Sequence, residues 1–356
     1  SVNIRFHLKY LALKMLKEVI EIKKPTERLI NNILQDPSLE KIFIDNCCFG
    51  SPILVEFLSN QKYISKWLAS SDIKNIDLAI RLLRSVIEER SDLLIQNMTP
   101  YFNQSDEWNS RYLNAIWQPA SKDNPEIFEI RKNLLRLGYA NDFMDWTDII
   151  KHNPQWAIDY IEILLELFTD FLKDDNFETS KLSNRKLSVW RGSQIEQIQE
   201  LSVTLPNDIL MRILPLVIDI LNDTDEKIAE SIWFNQYSYR LNDEKYSLTN
   251  GVLKLIFEAG KQLESDSHQL WQHLSPFLEQ KNSIVEHILA SLMLNLDISY
   301  SDEVINWLLT NKNSRLACGI DSIEPKWITP SKLIEKFSPH CSDANFEKLE
   351  NAIVAI

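Results

Sequence analysis

The sequence predicts an all-α protein, an irregular solenoid of helical hairpins of the TPR-like or HEAT-like kind with no sheet. Apolar residues recur three and four positions apart along nearly the whole chain, and no stretch alternates in the manner of a strand. Prolines also stand where helices should begin, and Pro at the first helical position loses no hydrogen bond. These starts are Pro25-Thr26, Pro37-Ser38, Ser51-Pro52, Asn124-Pro125, Asn153-Pro154, Pro206-Asn207 and Thr329-Pro330.

Periodicity and helix starts together predict helices in the following order. The first half holds helices at 4–22, 26–35, 38–47, 52–59, 61–69, 73–89, 91–98, 106–116, 125–137, 143–151 and 154–172. The second half holds helices at 194–204, 207–221, 226–232, 247–264, 267–279, 283–295, 301–310, 327–337 and 342–354. The spacing between them is not constant, so a regular tetratricopeptide or ankyrin array is not predicted.

Two of these helices decide the architecture, because each is apolar over most of its circumference. The polar residues of 154–172 form one narrow stripe of Asp159, Glu162, Glu166, Thr169 and Lys173. Those of 207–221 form a similar stripe of Asp208, Arg212, Asp219 and Asn222. Such helices must pack on several sides, and serial helix pairs, each covered by the next, provide that packing without one central core.

Two segments lack helical periodicity. Residues 174–193 form a polar connection longer than the usual 2–8 residues between helices. This connection predicts a boundary between N-terminal repeats at 1–173 and C-terminal repeats at 194–356. Residues 233–246 are aperiodic and rich in aromatics.

Both segments are candidate recognition loops, since loops carry many binding residues and Trp and Arg are enriched in interface hot spots. The candidate partner-binding residues are Trp190, Arg191, Trp233, Tyr237, Tyr239, Arg240 and Tyr246. The basic residues Lys181, Arg185 and Lys186 could help Arg191 to contact a phosphate or an acidic peptide; the alternative is a solvated loop.

The last two predicted helices form a capping pair at 327–354. Ser342 is the expected N-cap of the final helix, with Asp343 at the positive end of its dipole. The pair cannot bury its own apolar face. We therefore expect these side chains to pack on the preceding helices: Ile334, Phe337, Phe346, Leu349 and Ile353.

Several function classes lack their sequence signatures. The chain has only six glycines, no two close enough for a phosphate-binding loop, and no spacing of His, Cys or carboxylates that is typical of a metal site. His340-Cys341 resembles a base and a thiol, but a packed Cys341 and a capping His340 are the simpler interpretation. We expect no enzyme activity, cofactor or metal.

Charge and hydropathy indicate the kind of partner. A net charge of −13 argues against direct binding of nucleic acid or anionic lipid and favours a basic protein surface. No run approaches the roughly 18 apolar residues of a membrane span. Of the four cysteines, Cys47 and Cys48 are adjacent and Cys318 and Cys341 lie far off, which suits reduced thiols in the cytoplasm. Because the sequence starts at Ser1 without Met, we expect a piece of a longer protein, whose other parts would mediate any oligomerisation.

A family resemblance rests on motifs spread over roughly residues 105–353. They are Glu107-Trp108-Asn109, Trp146 with Asn153-Pro154-Gln155-Trp156-Ala157, Asp243-Glu244-Lys245-Tyr246-Ser247-Leu248, Arg315-Leu316 with Gly319, Trp327, and Ser338-Pro339-His340-Cys341-Ser342 with Leu349-Glu350. This pattern resembles the C-terminal helical repeats of bacterial antiviral STAND NTPases, the Avs-type NACHT-like phage sensors. The first hundred residues carry no motif of that family.

The resemblance implies a recognition module. In that family the repeats bind a phage protein, such as the large terminase or the portal, and so activate an upstream ATPase and effector. The alternative is a HEAT-like scaffold that joins host proteins and has no immune role.

Overall fold

The structure is a computed structural model. It describes residues 27–116, 118–139, 146–172, 192–225, 244–311, 315–318 and 325–354, and the single residues 11, 229 and 233. Every regular element in these ranges is a helix, and none of them contains a strand. The predicted all-α class is therefore confirmed.

The chain divides into two compact units, Ser1–Asn141 and Asp142–Ile356. The sequence instead predicted the boundary at 174–193. Most of that segment lies outside the described residues, but the helices on its two sides pack against each other in the second unit. A long polar connection between two helices therefore does not show that those helices belong to separate units.

The first unit holds eight helices among its described residues. They are α1 Glu27–Gln35, α2 Pro37–Phe43 with a π-helical turn Ile44–Cys48, α3 Pro52–Asn60, α4 Tyr63–Leu68, α5 Ile73–Arg84, α6 Ile87–Met98, α7 Asp106–Ala115 and α8 Pro125–Arg136. Several helix starts carry side-chain caps that accept a backbone N–H, namely Asp72, Ser105 and Asn124. The helix predicted at 73–89 instead ends at Arg84, and α6 is kinked at Arg90, where the sequence predicted a break.

Side-chain hydrogen bonds join helices of the first unit that are distant in the chain. Glu56 of α3 accepts from Arg90 of α6, 34 residues away, and Ser59 accepts from Asn97, 38 residues away. Asn114 of α7 accepts from Arg84 of α5, 30 residues away. These bonds show that helices distant in the chain lie side by side in the first unit.

The second unit holds ten helices in its described part. They are α9 Trp146–His152, α10 Pro154–Leu172, α11 Gly192–Thr204, α12 Pro206–Asp223, α13 Glu244–Gln262, α14 Ser267–Leu274, α15 Ser283–Met293, α16 Ser301–Thr310, α17 Ile328–Phe337 and α18 Asp343–Val354. Two of them, α10 and α16, have the predicted bounds. Helix α13 begins at Glu244, so the last residues of the segment predicted to be aperiodic are helical.

The helices of the second unit form two layers. In one layer, α10, α12, α14, α16 and α18 follow one another, as shown by side-chain hydrogen bonds between successive members. In the other layer, α11 packs on α13, α13 on α15 and α15 on α17. The bonded residues in the first layer are 32 to 66 positions apart, which confirms an irregular helical repeat for this unit.

The C-terminal pair, α17 and α18, buries only part of the face predicted for it. Phe337 and Leu349 are buried and Ile334 is half-buried, as expected. Phe346 and Ile353 are 41% and 48% exposed, so their predicted burial is wrong. Helix α18 packs on α16, and a helix that buries one stripe leaves the residues beside that stripe in solvent.

Among the described residues, no single helix is long and apolar enough to cross a membrane. One bent pair, Gln197–Thr204 with Pro206–Asp223, reaches the required length and composition only when its two helices, 98° apart, are taken together.

Candidate partner-binding site

The polar stripes of α10 and α12 face each other along a shared seam. At its start, the Gln155 side-chain amide donates to the Asp208 carboxylate at 2.9 Å. One turn further on, Arg212 donates from Nε to Glu162 at 2.7 Å and from Nη2 to Asp159 at 2.7 Å. The numbers of the bonded residues rise together along both helices, and α10 and α12 therefore run parallel.

Arg212 belongs to a π-helical turn, Ile209–Ile213, within α12. The turn buries Ile209, Leu210 and Ile213, and leaves Met211 59% exposed. A π-turn inserts one residue into the helical phase, and such turns occur frequently at functional sites. Hydrogen bonds to Glu162 and Asp159 raise the pKa of Arg212 further above its usual value, so this side chain is a permanent cation.

Beyond Arg212 the seam opens into a groove of about 300 Å³. We call it the α10–α12 groove. Its floor is apolar, with Leu165 and Ile220 buried and Leu216 half-buried. Thr169 lies among the lining residues and donates its hydroxyl to the Leu165 carbonyl at 2.9 Å.

Four exposed carboxylates line the α10–α12 groove. Glu166 and Asp170 belong to α10, and Asp219 and Asp223 belong to α12. Each pair is four residues apart, which places its members on one face about 6 Å apart along the helix axis. The groove therefore has an apolar floor between two acidic walls.

The α10–α12 groove combines apolar and negatively charged surface. Within the part of the chain that the structure describes, no group of three or more His, Cys, Asp or Glu side chains is arranged to hold a metal ion. Exposed carboxylates attract Lys and Arg, while the apolar floor gains free energy when a partner side chain displaces water from it. A basic and partly apolar protein surface is complementary to both features.

Of the seven candidate residues, Trp233 has a described side chain, and it is fully buried. Its ring meets Phe168 edge to face, with centroids 6.0 Å apart. Its indole Nε1 is buried and has no hydrogen-bond partner among the described residues. In this state Trp233 is an interior residue of the second unit and offers no surface to a partner, contrary to the expectation from its aperiodic surroundings.

The other candidates fall largely outside the described residues. Tyr246 lies on α13, and its side chain is not described. Trp190, Arg191, Tyr237, Tyr239 and Arg240 lie outside the described ranges altogether. The α10–α12 groove was missed by the sequence reasoning, although the two polar stripes that form it were recognised.

The thiols nearest to the C-terminal motif are poor nucleophiles. Cys341 is half-buried, and its Sγ donates to the Ser338 carbonyl at 3.3 Å. Burial, with the nearby Asp302 carboxylate, raises the pKa of Cys341. Burial, followed by the charge of Glu286, raises the pKa of the Cys318 thiol to about 12. A thiol with a raised pKa carries little of the reactive thiolate at neutral pH.

Comparison of the chain with protein-family models, with curated protein sequences and with solved structures gives no significant match.

Proposed function

We propose that this chain is the partner-recognition module of an antiphage defence protein. In this proposal its helical repeats bind a phage terminase or portal protein and thereby activate an ATPase and an effector on the same polypeptide. The α10–α12 groove is the observation that carries the recognition part. The assignment to phage defence follows from the sequence resemblance to Avs-type STAND NTPases.

The layered packing of the second unit suits such a role. Helices α10, α12, α14, α16 and α18 succeed one another in one layer, and grooves between neighbouring parallel helices are a natural place for a protein ligand. Repeat proteins use extended surfaces of this kind to bind partners. In the α10–α12 groove, a buried floor and exposed carboxylates combine apolar area with charge.

Size-exclusion co-elution with purified phage proteins tests this function. The chain is mixed at micromolar concentration with large terminase and with portal from several phages, and with a phage protein outside DNA packaging as a control. We expect stable co-elution with one of the packaging proteins alone. Absence of co-elution with every terminase and portal would refute the sensor function.

The scaffold hypothesis predicts a different result. A HEAT-like scaffold would bind host proteins and no phage protein, and the parent gene would lack a G-x-x-x-x-G-K-[ST] motif upstream of Ser1. Sequencing that upstream region therefore separates the two functions before any binding experiment.

A further inference from the structure

We infer that the α10–α12 groove binds an amphipathic helix of the partner, whose apolar stripe is flanked on both sides by Lys or Arg. This inference rests on the proposed recognition function and adds the chemistry of the partner.

The negative charge of the groove favours a basic guest, that is, a basic segment of the partner bound in the groove. Both walls of the groove carry exposed carboxylates, Glu166 and Asp170 on one side and Asp219 and Asp223 on the other. The whole chain carries a net charge of −13, which adds long-range attraction for a basic segment. An acidic or phosphorylated guest would meet like charge on both walls.

The arrangement of apolar floor and acidic walls selects a helix. A guest in this groove needs apolar side chains along its centre line, over Leu216 and Ile220, and basic side chains on both flanks. An α-helix provides three such adjacent rows, because its residues point around the axis. An extended strand presents one row toward a surface, since its alternate residues point away.

The spacing of the carboxylates also matches a helix. Members of each wall pair are four positions apart, or about 6 Å along their own helix axis. Lys or Arg residues at i and i+4 of a guest helix that lies along the groove have the same rise. Each basic flank can therefore place two charges opposite the two carboxylates of one wall.

Arg212 sets one limit of the groove. Its guanidinium is bound to Asp159 and Glu162 at the end of the seam that precedes the groove. The carboxylates of that end are already engaged by a cation of the chain itself. The basic flanks of the guest therefore lie beyond Arg212, along the two walls of the groove.

A designed peptide supplies the probe for this inference. We would use a labelled helical peptide of about 18 residues, roughly 27 Å long, with a leucine stripe and Lys or Arg on both flanks. A matched peptide carries Glu in place of each basic residue, and a scrambled peptide keeps the composition. Fluorescence anisotropy then measures the Kd for the full chain. We expect micromolar binding of the basic peptide only, weakening as salt screens the charges.

Substitutions locate the binding. The groove variant carries Glu166→Gln, Asp170→Asn, Asp219→Asn and Asp223→Asn. The control variant removes the same four charges at exposed positions on α16, α17 and α18, namely Glu303→Gln, Glu335→Gln, Glu347→Gln and Glu350→Gln. We expect a Kd increase of about tenfold or more for the groove variant, since 1.4 kcal/mol corresponds to a factor of ten, and less than about twofold for the control.

A third variant, Leu216→Gln, tests the apolar floor without changing charge. We expect this variant to weaken the peptide by about threefold or more through lost apolar contact. Circular dichroism confirms that each variant folds, and the two single-wall variants, Glu166→Gln with Asp170→Asn and Asp219→Asn with Asp223→Asn, replace any quadruple variant that does not. Equal losses in the groove and control variants, or full binding by Leu216→Gln, would overturn the inference.

The same variants separate this inference from the proposed function. If a terminase or portal binds the parent chain and the groove variant equally well, the recognition function stands and the groove assignment fails. If the basic peptide binds in the groove while no phage protein binds the chain, the groove assignment stands and the antiphage function fails.

Discussion

Replacing Arg315 by Met should unfold the second unit at much lower denaturant concentration. Arg315 and Glu286 are both buried, and Arg315 Nε donates to the Glu286 carboxylate at 3.0 Å. The same guanidinium donates to the carbonyls of Trp307 at 2.8 Å and Leu278 at 2.6 Å. It therefore joins the end of α16 to the segment between α14 and α15.

The loss of stability in Arg315→Met depends on the polar groups that no longer have Arg315 as a partner. Glu286 would stay in the interior with a hydrogen bond from Asn311 but without the Arg315 cation, and the three carbonyls of Trp307, Leu278 and Gln280 would lose a charged donor. Breaking a buried ion pair from one side costs about 3–5 kcal/mol in the free energy of unfolding. The half-buried clamp of Arg212 gives the contrast, because solvent screens its charges and Arg212→Met should therefore cost less than Arg315→Met.

Urea unfolding followed by circular dichroism measures these differences. The urea midpoint should fall for Arg315→Met with an unchanged m-value. The double variant Arg315→Met/Glu286→Leu should be less destabilised than the sum of its single variants, because it leaves no buried charge. A loss below about 1 kcal/mol for Arg315→Met, or strict additivity in the double variant, would refute this reasoning.

Three further predictions concern other contacts. In the first unit, Arg131→Met should lower the free energy of unfolding by a similar 3–5 kcal/mol, because Arg131 and the fully buried Asp123 carboxylate are 2.7 Å apart. Backbone hydrogen exchange in the first unit should rise, and unchanged exchange would contradict this prediction. Leu349→Asp should destabilise α18 by several kcal/mol and Phe346→Asp by less than about 1 kcal/mol, since of these two residues only Leu349 is buried. Equal melting temperatures for the two variants would contradict this prediction. Hydrogen bonds from the Ser342 N–H and hydroxyl and the Asn345 amide lower the pKa of Asp302. The carboxylate therefore stabilises α18 above its unfolded pKa of about 3.9, and this contribution is lost as pH falls through the lower folded pKa. Asp302→Ala should speed exchange in α18 at pH 6, and its effect should shrink as pH falls below about 3.9; an effect that stays equal over this range would exclude this role.

Short-range sequence patterns determined much of the secondary structure of the second unit. The bounds of α10 and α16 follow from the apolar periodicity and the helix starts in the sequence alone. The same periodicity predicted that Trp67, Trp146, Trp271 and Trp307 are core residues; Trp67, Trp146 and Trp307 are buried, whereas Trp271 is only half-buried. Such features depend on neighbours three or four residues away, which a sequence shows directly.

The N-cap at Ser342 shows a contact that short-range sequence patterns do not predict. Ser342 stands before α18 as predicted, but its hydroxyl donates to Asp302, 40 residues earlier, at 2.7 Å. The carboxylate of α16 thus takes part in capping a helix whose own sequence suggested a local cap. Nothing in the residues around Ser342 indicates that partner.

The groove and the buried ion pair are decided by tertiary structure. A polar stripe on a helix is compatible with solvent or with another polar stripe, and the sequence of α10 does not state the rotation of α12 against it. Glu286 and Arg315 lie 29 residues apart and meet only because tertiary packing brings the segment after α16 next to α15. The sequence thus determined which faces are apolar and where helices begin, because those depend on short-range spacing. Tertiary packing alone decided which faces meet, because the relative rotation of helices depends on contacts distant in the chain.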